Sequence, residues 1–136
     1  MVKHAQVIHG QAPSKSNCYR VVSIKGHGSL AKTQALRKWE QSFFMQCGTY
    51  RDANIKQYFK LDIDVYFTSQ RSDLDNALKA VLDCLQTCKA IDNDRWCVEI
   101  HARKFVDPYD PRIEFTITTV DGVETRPTNT TKDLFG

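Results

Sequence analysis

Phe59-Lys60-Leu61-Asp62-Ile63-Asp64-Val65-Tyr66-Phe67 alternates apolar and polar side chains at every step. Successive side chains of a strand point to opposite faces, so this stretch reads as a β-strand with one face on a core and the other in water. A polar connector, Thr68-Ser69-Gln70-Arg71, comes next. A helix is expected from Asp73 to Thr87, because Leu74, Leu78, Val81, Leu82 and Leu85 share one broad stripe. Period two returns after Ile91–Asp94. Trp96, Val98, Ile100 and Ala102 alternate with Cys97, Glu99, His101 and Arg103, and Ile113, Phe115 and Ile117 alternate with Glu114, Thr116 and Thr118. Asp107-Pro108-Tyr109-Asp110-Pro111 between them is a turn or loop, since its two prolines lack N–H donors.

Toward the N-terminus, Ala5–Ile8 and Tyr19–Ile24 read as short strands, separated by the loop Gln11-Ala12-Pro13-Ser14-Lys15-Ser16-Asn17. Gly26-His27-Gly28 is a further break. Ser29 is expected to open a helix running to Cys47, with Leu36, Trp39 and Phe43 on its buried face and Gly48 as its stop. The order is then β-β-α-β-α-β-β, an α+β fold with a mixed sheet and two main helices packed against it. Residues 1–120 form one domain, and 121–136 a polar C-terminal tail expected to fray.

A chain of 136 residues with 41% hydrophobic and 26% charged residues is an ordinary globular protein. It has no apolar run near the ~20 residues that span a bilayer, and Met1-Val2-Lys3-His4 opens no signal peptide, so a cytoplasmic location off the membrane is expected. Five cysteines, an odd number, read as reduced thiols. Cys84 and Cys88 are spaced i,i+4 but border the leucine stripe, so they read as small buried hydrophobes. Charge is divided unevenly. Residues 1–60 carry ten Lys/Arg against two acids, and residues 61–136 carry nine against fourteen. The basic half suits a polyanion, and the surplus carboxylates suit a cation.

The chemistry concentrates in Arg71-Ser72-Asp73-Leu74-Asp75-Asn76-Ala77-Leu78-Lys79. At 100° per residue, Asp75, Lys79 and Asp83 lie within about 80° of one another, opposite the leucines. Asp73 and Asp75 would be about 160° apart in a regular helix, so they converge only if Asp73 sits at the helix start in non-helical geometry. One account is purely structural: Ser72 or Asp73 caps the helix and Asp75–Lys79 is an i,i+4 ion pair. The other gathers Asp73, Asp75 and a downstream acid of Asp92-Asn93-Asp94 around a hard cation, Mg²⁺ or Mn²⁺. Such an ion activates water and neutralises charge on a phosphodiester, with Lys79 stabilising the transition state. Asp83 would then support Lys79, and Asp64 is an auxiliary ligand candidate. Lys15, Lys32, Arg37, Lys38 and Arg71 are candidate phosphate contacts, and Tyr19 and Tyr50 candidate stacking residues for opened bases.

The pattern resembles the RusA-type Holliday-junction resolvases. The likeness rests on Asp73-Leu74-Asp75-Asn76-x-x-Lys79, Asp83, Asn93-Asp94 and Pro111-Arg112-Ile113-Glu114, together with Pro13-Ser14-x-x-Asn17 and, as a helix start, Ser29-Leu30-Ala31-Lys32. It covers roughly residues 5–120. Lys89-Ala90-Ile91 lacks the glycine frequent there in that family, and Asn93-Asp94 stands where an Asp-Asp doublet is common. The resemblance implies a homodimeric, Mg²⁺-dependent endonuclease that resolves four-way junction DNA by paired symmetric nicks, leaving 5′-phosphates. It implies Asp73, Asp75 and Asp94 as metal-binding catalytic acids and Lys79 as the catalytic lysine. A metal-dependent nuclease for flaps or RNA, and a non-catalytic junction-binding protein, are the alternatives these residues leave open.

Overall fold

The computed structural model describes residues 5–13 and 19–126. Its strands are β1 (Gln6–His9), β2 (Tyr19–Ile24), β3 (His27–Lys32), β4 (Phe59–Phe67), β5 (Cys97–Val106) and β6 (Arg112–Thr119). Its helices are α1 (Gln34–Gln46) and α2 (Leu74–Thr87), with a 3₁₀ turn at Asp94–Trp96. The main sheet has the order β1-β6-β4-β5. In it β4 is parallel to β5 and antiparallel to β6.

The alternation of β4 is realised in full. Phe59, Leu61, Ile63, Val65 and Phe67 are buried, while Lys60, Asp62, Asp64 and Tyr66 are half-exposed. The helices cover the apolar face, α1 through Leu36, Trp39 and Phe43, and α2 through Ala77, Val81, Cys84 and Leu85. Phe43 and Tyr50 both stack on Phe115, with centroids 6.0 and 5.8 Å away. Tyr50 is fully buried, and its hydroxyl accepts the Ile117 N–H at 3.1 Å. It is a core residue and offers no surface to an opened base. Among the described residues no helix covers the other sheet face, which suits strands that alternate apolar and polar.

The stretch Ser29–Lys32 departs from expectation. It belongs to β3, which pairs with β2 from Tyr19↔Lys32 to Ile24↔His27. Lys25 and Gly26 turn the chain there in the left-handed region, at φ 51° and 81°. The helix start shifts to Thr33, whose hydroxyl accepts the Leu36 N–H at 3.2 Å. Ser29, Leu30, Ala31 and Lys32 are compatible with a helix locally, but cross-strand pairing decides their conformation. Among the described residues the element order is β-β-β-α-β-α-β-β, leaving aside the 3₁₀ turn. Of the expected C-terminal tail, residues 121–126 are irregular and exposed, and 127–136 lie outside the described residues. No described helix is long and apolar enough to cross a membrane.

Helix α2 ends in a tight backbone closure. The Lys89 N–H donates to the Gln86 carbonyl (3.1 Å) and the Ala90 N–H to the Leu85 carbonyl (2.9 Å), a Schellman closure. Its left-handed position is filled by Lys89, at φ 59°, where glycine is the usual residue. A strap from Asp52 to Ile55 then binds this segment. The Asp52, Asn54 and Ile55 N–H groups donate to the Cys88, Lys89 and Ala90 carbonyls, and the Asp92 N–H returns to the Ile55 carbonyl. A left-handed non-glycine residue costs about 1 kcal/mol. Lys89→Gly is therefore expected to stabilise the fold by about 1 kcal/mol and raise Tm by about 3 °C. Thermal unfolding followed by circular dichroism tests this, and an unchanged or lower Tm refutes it.

Candidate active site

The connector from β4 to α2 is held at several points. The Thr68 N–H donates to Gln11 Oε1 (3.0 Å), and Lys104 Nζ to the Gln70 carbonyl (2.7 Å). It delivers Asp73 to the helix start as the N-cap residue, at φ −89° and ψ 128°, the non-helical geometry that convergence with Asp75 requires. Yet the Asp73 side chain makes no capping hydrogen bond. Asp75 lies in the first turn, where one carboxylate oxygen accepts the Asn76 N–H at 3.0 Å. Among the described residues Lys79 pairs within ion-pair distance with neither Asp75 nor Asp83. Both bonds of the structural account are thus missing. Asp73, Asp75 and Lys79 are all exposed. Lys79 and Asp83 line a narrow groove with Tyr19, Leu36, Glu40 and Asn76.

Asp94 lies elsewhere. Its N–H donates to Gln86 Oε1 at 2.5 Å, which pins it to the last turn of α2. Fourteen helical residues at 1.5 Å each span about 20 Å. In a single chain, then, Asp73 and Asp75 stand at one end of α2 and Asp94 at the other. Among the described residues no group of three or more His, Cys, Asp or Glu is arranged to hold a metal ion. The donor chemistry fits a hard divalent cation, since Asp73 and Asp94 offer exposed carboxylates with no hydrogen bond or ion pair among the described residues. One chain brings only the first two acids to the same end.

Other candidates separate cleanly. Arg103 holds both Asp64 oxygens, at 3.0 and 3.1 Å, so Asp64 is spent in an ion pair on the open sheet face. Cys84 and Cys88 are buried, as expected, and Cys88 Sγ contacts Cys47 Sγ at 3.8 Å. Burial pushes the Cys84 thiol up to about 12, which marks it as inert. The Pro111-Arg112-Ile113-Glu114 motif is a clamp on the β5–β6 connection. Arg112 donates to Glu114 (2.7 Å), to Asp107 (2.9 Å) and to the Asp110 carbonyl (2.9 Å), and lies 3.8 Å from the Tyr66 ring centroid.

Among the basic candidates, Arg37, Lys38 and Arg71 are exposed and make no ion pair among the described residues. Lys32 pairs with Glu40 at 2.8 Å, and that carboxylate holds its ammonium above the usual value. Lys15, with most of the Pro13–Asn17 motif, lies outside the described residues. Four further exposed cations were not singled out from the sequence: Arg51 and Lys56 flank the strap, Lys89 lies in the segment it binds and Arg95 in the acidic turn. Arg51 lies 4.8 Å from the Phe44 ring and Arg95 4.3 Å from the Trp96 ring. The Arg95-Trp96 dipeptide directly after Asp94 was the available signal.

Compared with known proteins, a family model described as Endodeoxyribonuclease RusA matches residues 12–118. That span includes Asp73, Asp75, Lys79 and Asp94. No curated protein matches the chain.

The Arg112 guanidinium holds the Asp107 carboxyl below the usual carboxylate range. The resulting stabilisation is full above the unfolded value of about 3.9 and is lost as pH falls through the lower folded value. The stability difference between wild type and Asp107→Asn, measured by urea unfolding, is expected to shrink from pH 7 to about pH 2.5. A difference that stays constant across that range refutes the assignment.

Proposed function

Because the chain belongs to the Endodeoxyribonuclease RusA family, hydrolases that act on Holliday junctions, we propose that its active site is shared between two subunits of a twofold dimer. Asp73, Asp75 and Lys79 of one subunit form one half, and the partner subunit's Asp94 completes it. The observation that supports this reading is the length of α2, which puts Asp73 and Asp75 at one end and Asp94, tied to Gln86, at the other, with the Asp73 side chain exposed and not engaged in capping.

Asp73, Asp75 and the partner subunit's Asp94 would hold Mg²⁺, or Mn²⁺ in its place. When bound, the ion neutralises charge on the scissile phosphodiester and acidifies water for attack on phosphorus. Lys79, one turn beyond Asp75, presents its ammonium to the charge that develops on phosphorus or the leaving oxygen. Arg37, Lys38 and Arg71, with Lys15 and Lys32, bind backbone phosphates and set the register of the DNA. Two equivalent sites across a twofold axis match the two equivalent strands of a four-way junction, which are cut by paired symmetric nicks.

Mixed dimers test the shared site. Asp75→Asn and Asp94→Asn homodimers are expected to bind a synthetic four-way junction without cutting it. Dimers with one subunit of each kind contain one intact shared site. Random pairing therefore restores about a quarter of the wild-type sites, with nicks in one strand only. If each site were built within one chain, every mixture would remain inactive. Lys79→Ala is expected to slow cleavage by about 10²–10³-fold while junction affinity holds. Flaps, duplex DNA and hairpin RNA assayed in parallel check the substrate, and equal cleavage of all four removes the junction assignment. Arg37→Ala and Arg71→Ala should each lower the salt dependence of junction binding by about one counterion.

A further inference from the structure

The acidic turn is held by a set of bonds that leaves one carboxylate free. Gln86 Oε1 accepts the Asp94 N–H, and Asn93 Oδ1 accepts the Arg95 N–H at 2.9 Å. Trp96 Nε1 donates to Asp92 Oδ2 at 3.3 Å, and the Asp92 N–H donates to the Ile55 carbonyl at 3.0 Å. The Trp96 ring is itself fixed, with Tyr58 edge-on at 5.0 Å and the Arg95 guanidinium 4.3 Å from its centroid. A three-residue 3₁₀ turn has little stiffness of its own. Its side-chain clasps supply what it lacks. Asp92 and Asn93 are consumed in holding the turn, while the Asp94 carboxylate accepts no hydrogen bond from the described residues.

We propose that Gln86 and Trp96 are positioning residues that hold the Asp94 carboxylate in the direction in which it meets a divalent cation, with Asp92 acting as the clasp on the tryptophan. This rests on the reading of Asp94 as a metal-binding acid. Gln86 fixes the backbone of Asp94 to the last turn of α2, and Trp96 fixes the far side of the turn to the core. The first turn of the same helix carries Asp75. One rigid rod thereby carries one half of each of the two shared sites.

The test compares Gln86→Leu, Gln86→Glu, Trp96→Phe and Asp94→Asn in the full-length protein, each first checked by thermal unfolding. Mn²⁺ affinity is measured by calorimetry without DNA, and cleavage of a four-way junction is followed against Mg²⁺ concentration. Outer partners of metal ligands are worth about 10–100-fold in metal affinity. Gln86→Leu and Trp96→Phe are expected to weaken Mn²⁺ binding about tenfold and to raise the Mg²⁺ needed for half-maximal cleavage by the same factor. The rate at saturating Mg²⁺ and the junction affinity stay near wild type. Gln86→Glu keeps the acceptor oxygen and restores the metal affinity. Unchanged Mn²⁺ affinity in Gln86→Leu and Trp96→Phe, alongside its loss in Asp94→Asn, overturns the positioning role and leaves the reading of Asp94 intact. A lower saturated rate at an unchanged metal requirement also overturns it. If Asp94→Asn alters neither Mn²⁺ binding nor cleavage, the reading of Asp94 itself falls.

Discussion

Two parallel strands can pair only if the chain travels back along the sheet between them, and α2 is that return path from β4 to β5. Most of the molecule is arranged around this constraint. The apolar face of α2 covers the buried row of β4, its first turn receives the polar connector, and its closing turn is bound by the strap 52–55. The helix also sets a distance. The chain entering at Asp73 and the chain leaving toward Asp94 are separated by about 20 Å, whatever the surface chemistry at either end. The sharing of acids between subunits in the proposed site is a consequence of this topology.

The parts of the fold visible in the sequence are those whose signal is local. The nine alternating residues of β4 and the apolar stripe of α2 each state their own period; β4 buries the expected face, while α2 keeps nearly its expected span but buries Ala77, Val81, Cys84 and Leu85, with Leu74, Leu78 and Leu82 only partly buried. β3 was illegible for the opposite reason. Ser29-Leu30-Ala31-Lys32 has the composition of a helix start, and only pairing with Tyr19–Val22, across the turn at Lys25 and Gly26, makes it a strand. Lys89 shows the same principle on a smaller scale. Its left-handed backbone is held by the Schellman bonds and the strap, so a lysine fills a position where a sequence reader looks for glycine.

The candidate site divides along the same line. Asp75 and Lys79 share a helix face by spacing alone, and wheel angles alone require Asp73 to be non-helical if it is to meet Asp75. The fate of each other acid depended on a partner remote in sequence or on a turn: Asp64 on Arg103, Asp107 and Glu114 on Arg112, and the backbone of Asp94 on Gln86. Spacing says which residues share a face, but not which charges have already been neutralised. A motif such as Pro111-Arg112-Ile113-Glu114 can then look chemical and prove to be a clamp on a turn.

Charge explains why a divided acid set is a workable arrangement. Two carboxylates at one helix start repel each other. The helix dipole offsets part of that repulsion, at about 0.3–1 kcal/mol per group, and both side chains are exposed to solvent that screens the rest. A third carboxylate beside them would add repulsion with no cation yet present to relieve it. Holding Asp94 at the far end of a stiff helix avoids that cost in the unassembled chain. In the proposed site the complete set would form only with a second subunit and a divalent ion, and cleavage would be conditional on assembly. For an enzyme whose substrate presents two equivalent strands, that condition would keep a single subunit from nicking one of them alone.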